Sequence, residues 1–416
     1  MVTRLAAAVL LAAAAVAVAS PSLAQAAEPG SLDRSFSGDG EKLIDFGRRE
    51  LAERAFVDAS GRVTLAGVSG DSPNRLAMAR VLSGGALDDS FSSDGRRVVD
   101  PASGADEAAT WALSGGELYV YGFRADGDFY LMRFRADGRT DRQFGNDGTV
   151  VGSFRGDGPT FSDIVVLPSG RIVILGGGVN GQTQIKAFNA DGTRARAFGD
   201  RGTATIDGVS SALVYQAGNR ILVVGARNDR RLVVDALRSN GTMDPSFGSG
   251  GRASVAIGTS AGDDVASPTV SVMSNGDIAI ATDVFDEDSF TTDLVVARFT
   301  SNGSRDAGFG GGDGWTRMDL ANIEVALSIA PLSGGRMIIS GFASDDFFDL
   351  DAQSDLLLVG LRANGQRWTA FGAGGVVRTD LGLAGDVSAS DAVVHNGKLV
   401  VAGQAARDML VARFRI

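Results

Sequence analysis

The chain has 416 residues, a formal net charge of −11 and no cysteine. The acidic balance excludes a basic nucleic-acid groove, and the missing thiols exclude disulfides, thiolate metal sites and a cysteine-linked lipid anchor. Glycine is abundant (57 residues) while proline is scarce (9), and 44% of residues are apolar. That mixture argues for a packed chain with many tight turns rather than a disordered one.

The first 26 residues read as a separate element. Arg4 is followed by an apolar run from Leu5 to Ala19 and then by Ala24-Gln25-Ala26, an A-x-A pattern. A positive start, a short apolar core and a small-residue cleavage site predict a signal peptide over 1–26, too short for a membrane span. Residues 27–416 form one domain, with no membrane insertion after cleavage. The expected location is the periplasm, the cell envelope or the medium.

Past the signal, one phrase recurs seven times, from "LDRSFSGDG" at 32 to "WTAFGAGG" at 368, each around one phenylalanine. The seven are Phe36, Phe91, Phe144, Phe198, Phe247, Phe309 and Phe371, a period of roughly fifty to sixty residues. A second phrase also recurs seven times, as in "GRVTLAG" at 61, "GRIVILG" at 170 and "GKLVVAG" at 397. It is a β-branched run after a two-residue turn, the signature of a hairpin. Each period reads as strand A, turn, strand B, variable loop, strand C, the phenylalanine phrase, and strand D. Strand B is apolar on both faces, as in a sheet sandwiched between sheets.

Seven four-stranded antiparallel sheets without helices predict an all-β, seven-bladed β-propeller. A β-solenoid is the alternative. The chain enters on a lone strand D (40–46) and ends on a lone A-B-C set (about 386–415), so the N-terminal strand is expected to complete the last blade. Closure of that kind removes exposed sheet edges. The reading expects a monomer.

The phrase is the C-to-D connection, with its phenylalanine as a buried anchor. Arg80, Arg133, Arg298 and Arg413 recur on strand C, and Asp88, Asp141 and Asp306 recur three residues before the phenylalanine, with Asp33 facing Arg413 across the closure. These predict structural arginine–carboxylate pairs. Blades three and six lack both members; blade four keeps Asp244 but carries Ala236 in place of the arginine.

Both phrases, with the period and the split last blade, resemble the delta-60 repeat family, a bacterial β-propeller group without an assigned activity, over nearly all of residues 30–416. The family pattern is roughly "LD-x-x-FG-x-x-G" with "DGK-[IL]-x-V-x-G", and here "DGK" has drifted to "SGR", "GGE" or "NGD". The resemblance implies a fold and export, and carries over no functional residues.

No enzyme signature stands out. "GTSAG" (258–262) matches a nucleophile elbow but lacks the following helix, and the single histidine, His395, belongs to an A-B hairpin. "GGGVNG" (176–181) precedes a strand rather than the helix a phosphate loop needs. The long B-C loops of blades five and six are acidic and aromatic. Asp283, Asp286, Asp288, Asp345, Asp346, Asp349 and Asp351 are candidate Ca²⁺ ligands, although no EF-hand pattern is present. Phe285, Phe290, Phe347 and Phe348 are candidate partner contacts. Glu53, Asp264 and Glu324 are expected near the same rim. No other cofactor is expected.

The leading functional expectation is a non-enzymatic platform binding an extracellular protein or glycan through the B-C and D-A loops. The alternatives are a carboxylate-based glycan lyase or hydrolase at the central channel, and a purely structural envelope protein.

Overall fold

The computed structural model describes residues 28–70, 75–101, 105–124, 126–155, 162–177, 180–227, 230–257, 264–320, 322–345 and 353–416. The expected signal peptide and the "GTSAG" segment lie outside these residues. Among the described residues no helix is long and apolar enough to cross a membrane.

Seven antiparallel sheets follow one another, each ordered A-B-C-D. Blade 1 consists of Glu50–Val57, Val63–Ser69, Arg75–Val81 and Arg96–Val99. Blade 2 consists of Ala105–Ser114, Glu117–Arg124, Phe129–Phe134 and Thr149–Gly152. Blade 3 consists of Asp163–Val166, Ile172–Gly177, Gln182–Phe188 and Thr203–Asp207. Blade 4 consists of Ala212–Gln216, Arg220–Arg227, Arg231–Arg238 and Arg252–Ala256.

Strand A of blade 5 is broken into Asp264–Val265 and Thr269–Val272, both paired with strand B, Ile278–Asp286. Pro268 sits at the break, where a residue without an N–H cannot join the ladder. Strands C and D of that blade are Thr291–Phe299 and Trp315–Met318. Blade 6 consists of Ile323–Pro331, Met337–Ser344, Asp355–Leu361 and Val376–Thr379.

Blade 7 draws Val387–His395, Lys398–Ala405 and Asp408–Arg415 from the end of the chain. Its strand D is Glu41–Ile44, with Lys42 opposite Val411 and Leu43 opposite Leu410. Each strand A packs against the next, including blade 7 against blade 1, so the ring is closed.

The apolar core is divided seven ways, with one buried cluster at every interface between neighbouring blades. Strand B contributes to the clusters on both of its sides, which explains its doubly apolar sequence. Each phrase phenylalanine lies in the interface cluster shared with the following blade, and all seven are at most 1% exposed.

The backbone just beyond each phenylalanine then reaches across. Its N–H donates to a carbonyl in the next blade's turn: Ser37 to Gly84, Ser92 to Asp137, Gly145 to Asp191, Gly199 to Asn240, Gly248 to Asn302 and Gly310 to Asn364. Gly372 completes the set by donating to Pro29 of the N-terminal segment, at 2.8 Å. The glycine of the receiving turn is required at this contact. A Cβ on Gly138, whose φ is +80°, would lie 2.7 Å from the Phe91 ring. The seven-fold phrase is therefore an inter-blade clasp repeated around one rim.

Candidate functional site

On the clasp rim, the strand C arginines serve both the phrase and the next blade. Arg80 Nε donates to Asp88 Oδ2 at 2.7 Å, Nη2 donates to Ser90, and Nη1 donates to the Ala136 carbonyl of blade 2 at 2.6 Å. Its guanidinium lies 4.9 Å from the Phe91 ring centre. Arg133 repeats this with Asp141, Ala190 O and Phe144. Arg298 does so with Asp306 and Phe309, and Arg413 with Asp33, Ser83 O and Phe36. One cation thus holds the loop aspartate, covers the aromatic anchor and grips the neighbouring turn.

Blade 4 departs from the expected pattern without leaving its aspartate alone. Asp244 is held by Arg220 of strand B, with Nε–Oδ2 2.8 Å, and Arg220 also covers Phe247 and donates to Ser301 O of blade 5. The residue just before strand B supplies the cation in blades 3 and 6. Arg171 donates to Ser239 O of blade 4, and Arg336 lies over Trp368, which stacks on Phe371. The matching aspartate is absent in both. These arginines were missed from sequence.

The strand A walls around the ring axis carry a second set of inter-blade contacts. Asp163 of blade 3 accepts from Leu213 N of blade 4 at 2.6 Å and Thr110 Oγ1 of blade 2 at 3.4 Å. Asp391 of blade 7 accepts in the same way from Ala55 N of blade 1 and Ser328 Oγ of blade 6. These carboxylates are engaged as links between blades.

Neither Glu53 nor Glu324 is an exposed loop acid. Glu324 is fully buried, accepting from Leu320 N at 2.6 Å. Glu53 is the extra residue of a bulge between Ala52 and Arg54, and its carboxylate accepts from Trp111 Nε1 of blade 2 at 2.9 Å. As a residue Glu53 is half-buried, but its carboxyl is enclosed by protein. Desolvation pushes it up to about 7, against the opposing pull of the Trp111 hydrogen bond and the Arg54 charge.

The fold therefore favours protonated Glu53, and its contribution is present in full below its ordinary pKa of 4.5 and is lost as pH rises through about 7. The expected loss is about 3 kcal/mol between pH 4.5 and 8. Glu53→Gln keeps an acceptor for Trp111 and removes the titration. Denaturant unfolding at pH 5 and pH 8 should show the variant with the shallower decline; equal slopes would remove Glu53 as the cause.

The opposite rim carries the B-C and D-A loops. In blade 5 the insertion continues strands B and C outward as a hairpin, with Phe285 and Phe290 edge to face at 6.1 Å. Phe290, at φ +55°, is 46% exposed. Among the described residues the acidic candidates are not gathered into one group. Asp283 is 9% exposed, and burial pushes its carboxyl up to about 6 against a hydrogen bond from the Ala326 backbone. Asp286 accepts from the N–H groups of Asp288 and Ser289, and Asp345 is paired with Arg378 at 2.6 Å. Asp346, Phe347, Phe348, Asp349 and Asp351 lie outside the described residues.

Blades 4 and 5 on this rim enclose a cavity of about 220 Å³, lined by Val209, Ser210, Ser211, Arg227, Arg230 and Asp264–Pro268. An adjoining groove of about 550 Å³ runs over blade 4 past Val209, Arg227, Arg231 and Arg252. Val209 is 42% exposed and borders both.

A family model described as "Domain of unknown function (DUF5122) beta-propeller" matches residues 59–91 and 289–309. The first segment runs from a strand B turn to Phe91 and the second from strand C to Phe309, so both end on the clasp. The match supports a β-propeller repeat family, the class that the fold defines. No curated protein matches the chain. Among solved structures, puromycin hydrolase is similar at 13% identity and a TM-score of 0.47, over 93% of this chain and 55% of that one. The WD40 β-propeller domain of Doa1 is similar at 12% identity and a TM-score of 0.46, over 90% and 95%. The chain thus spans about half the length of the puromycin hydrolase chain it matches.

Proposed function

We propose that the protein is an exported, non-enzymatic binding platform of the delta-60 repeat type, engaging a protein or glycan through its B-C and D-A loops. The observation that carries this reading is the concentration of features on one sector of that rim. The cavity, the adjoining groove, exposed Val209 and exposed Phe290 all belong to blades 3 to 5. Concave surface beside exposed apolar groups on a rigid ring is what a docking face requires. The clasp rim, by contrast, uses its repeated polar groups internally.

The test is a Val209→Asp/Phe290→Ser chain assayed against a glycan array and the native extracellular fraction. Ligands bound by the unmodified chain should be lost with the melting temperature unchanged. Leu82→Asp, at an exposed position on the clasp rim, should leave binding intact. Retention by the double variant, or loss with Leu82→Asp alone, would refute the assignment.

A further inference from the structure

Where the ring closes, three carboxylates from distant parts of the chain converge. Asp45 follows the N-terminal strand, Glu50 begins strand A of blade 1, and Asp408 begins strand C of blade 7. One carboxylate oxygen from each lies within 4.8 Å of the others, and among the described residues this is the only such group. No ion pair joins any of them to a lysine or arginine among those residues.

Glu50 is 0% exposed. Its Oε1 accepts from Arg48 N and Ser69 Oγ, while the buried Oε2 has no hydrogen-bond partner. A buried carboxylate with one oxygen left unpartnered, on a residue grouped with two further carboxylates, is costly unless a cation completes it.

The repeat provides an internal comparison. In blade 5 the equivalent positions are Asp319, Glu324 and Asp293, with the same order of exposed, buried and half-buried residues. There Arg317 on strand D, opposite Val295, pairs with Asp293. In blade 6 Arg378, opposite Leu357, pairs with Asp355 at 2.6 Å. The same strand D position in blade 7 is Leu43, opposite Leu410. The seam keeps the acids and omits the arginine.

We infer that Asp45, Glu50 and Asp408 form a binding site for a hard divalent cation, Ca²⁺, which ties the N-terminal strand to blades 7 and 1. Oxygen ligands 2.3–2.6 Å from Ca²⁺ lie at most about 5 Å apart, which the 4.8 Å limit satisfies. Three carboxylates leave room for water in the rest of the shell.

Chelator-treated protein should bind Ca²⁺ in calorimetry and melt several degrees higher in millimolar CaCl₂ than in EGTA. Asp408→Asn should lose the calcium-dependent shift while remaining folded in EGTA, since it removes a repelling charge. Leu43→Arg should likewise abolish the shift and raise the melting temperature in EGTA, by installing the cation that blades 5 and 6 already use. Identical melting of the unmodified chain in CaCl₂ and EGTA would overturn the site, as would an undiminished calcium shift in either variant.

Discussion

Removing residues 28–46 is expected to destroy cooperative folding of the propeller. The segment supplies strand D of blade 7 and with it Phe36 and Ile44, exposed at 1% and 2%. Burying side chains of this size contributes about 1.5–3 kcal/mol each, before the loss of partly buried Leu32 and Leu43 from the cluster between blades 6 and 7. Two clasps vanish together: Pro29 O no longer receives Gly372 N, and Ser37 N no longer reaches Gly84 O. Arg413 loses Asp33 and Ser35, keeping only the Ser83 carbonyl.

The summed loss is comparable with the ~5–15 kcal/mol that holds a whole domain together. The truncation also exposes the edge of Asp408–Arg415, which invites intermolecular pairing. The expected product is aggregated or lacks a sharp melting transition by circular dichroism. A truncated monomer melting within a few degrees of the intact chain would show that the ring does not depend on its closure.

Local repetition made most of this architecture legible before any coordinates. The seven phenylalanine phrases and seven strand B runs set the blade count, and the split last blade set the closure. Reading the phrase as a buried loop anchor also needed only sequence, because the same residue types returned at every period. What remained hidden depends on neighbours across strands. Arg220 and Asp244 look unrelated in sequence, but Leu222 pairs with Ala236, so Arg220 is the diagonal neighbour of the vacant strand C position. Glu53 looked like a loop acid because nothing in the alternation announces the bulge that turns it toward Trp111. Asp45, Glu50 and Asp408 come from opposite ends of the chain, and only closure brings them together.

Replacing Arg220 with alanine should destabilise the ring by about 3 kcal/mol, as expected when one partner of a partly buried pair is removed. Asp244 is 8% exposed and would keep only the Ser246 hydroxyl and N–H, with Arg238 Nε more distant at 3.6 Å. The Ser246 hydroxyl and then Arg220 hold the Asp244 carboxyl down at about 2, so this contribution is present above its ordinary pKa of 3.8 and is lost as pH falls toward 2. The penalty of Arg220→Ala should accordingly shrink at pH 2.

Two second-site changes discriminate this account from general damage to strand B. Asp244→Ala in the Arg220→Ala background should recover part of the loss by removing the orphaned charge, leaving alanine at both pair positions as blade 3 has with Ala187 and Ala195. Ala236→Arg in the same background should recover more, because Arg80, Arg133, Arg298 and Arg413 act from that position in the other blades. Denaturant melts of these chains together with the Asp244→Ala and Ala236→Arg single variants close the cycles and give the coupling directly. If Ala236→Arg restores nothing while Asp244→Ala adds its full cost to that of Arg220→Ala, the two residues act independently and the clasp cannot be moved between strands. Recovery by both would mean that the cost of Arg220→Ala is the orphaned Asp244 charge, and that a guanidinium from either adjacent strand can neutralise it.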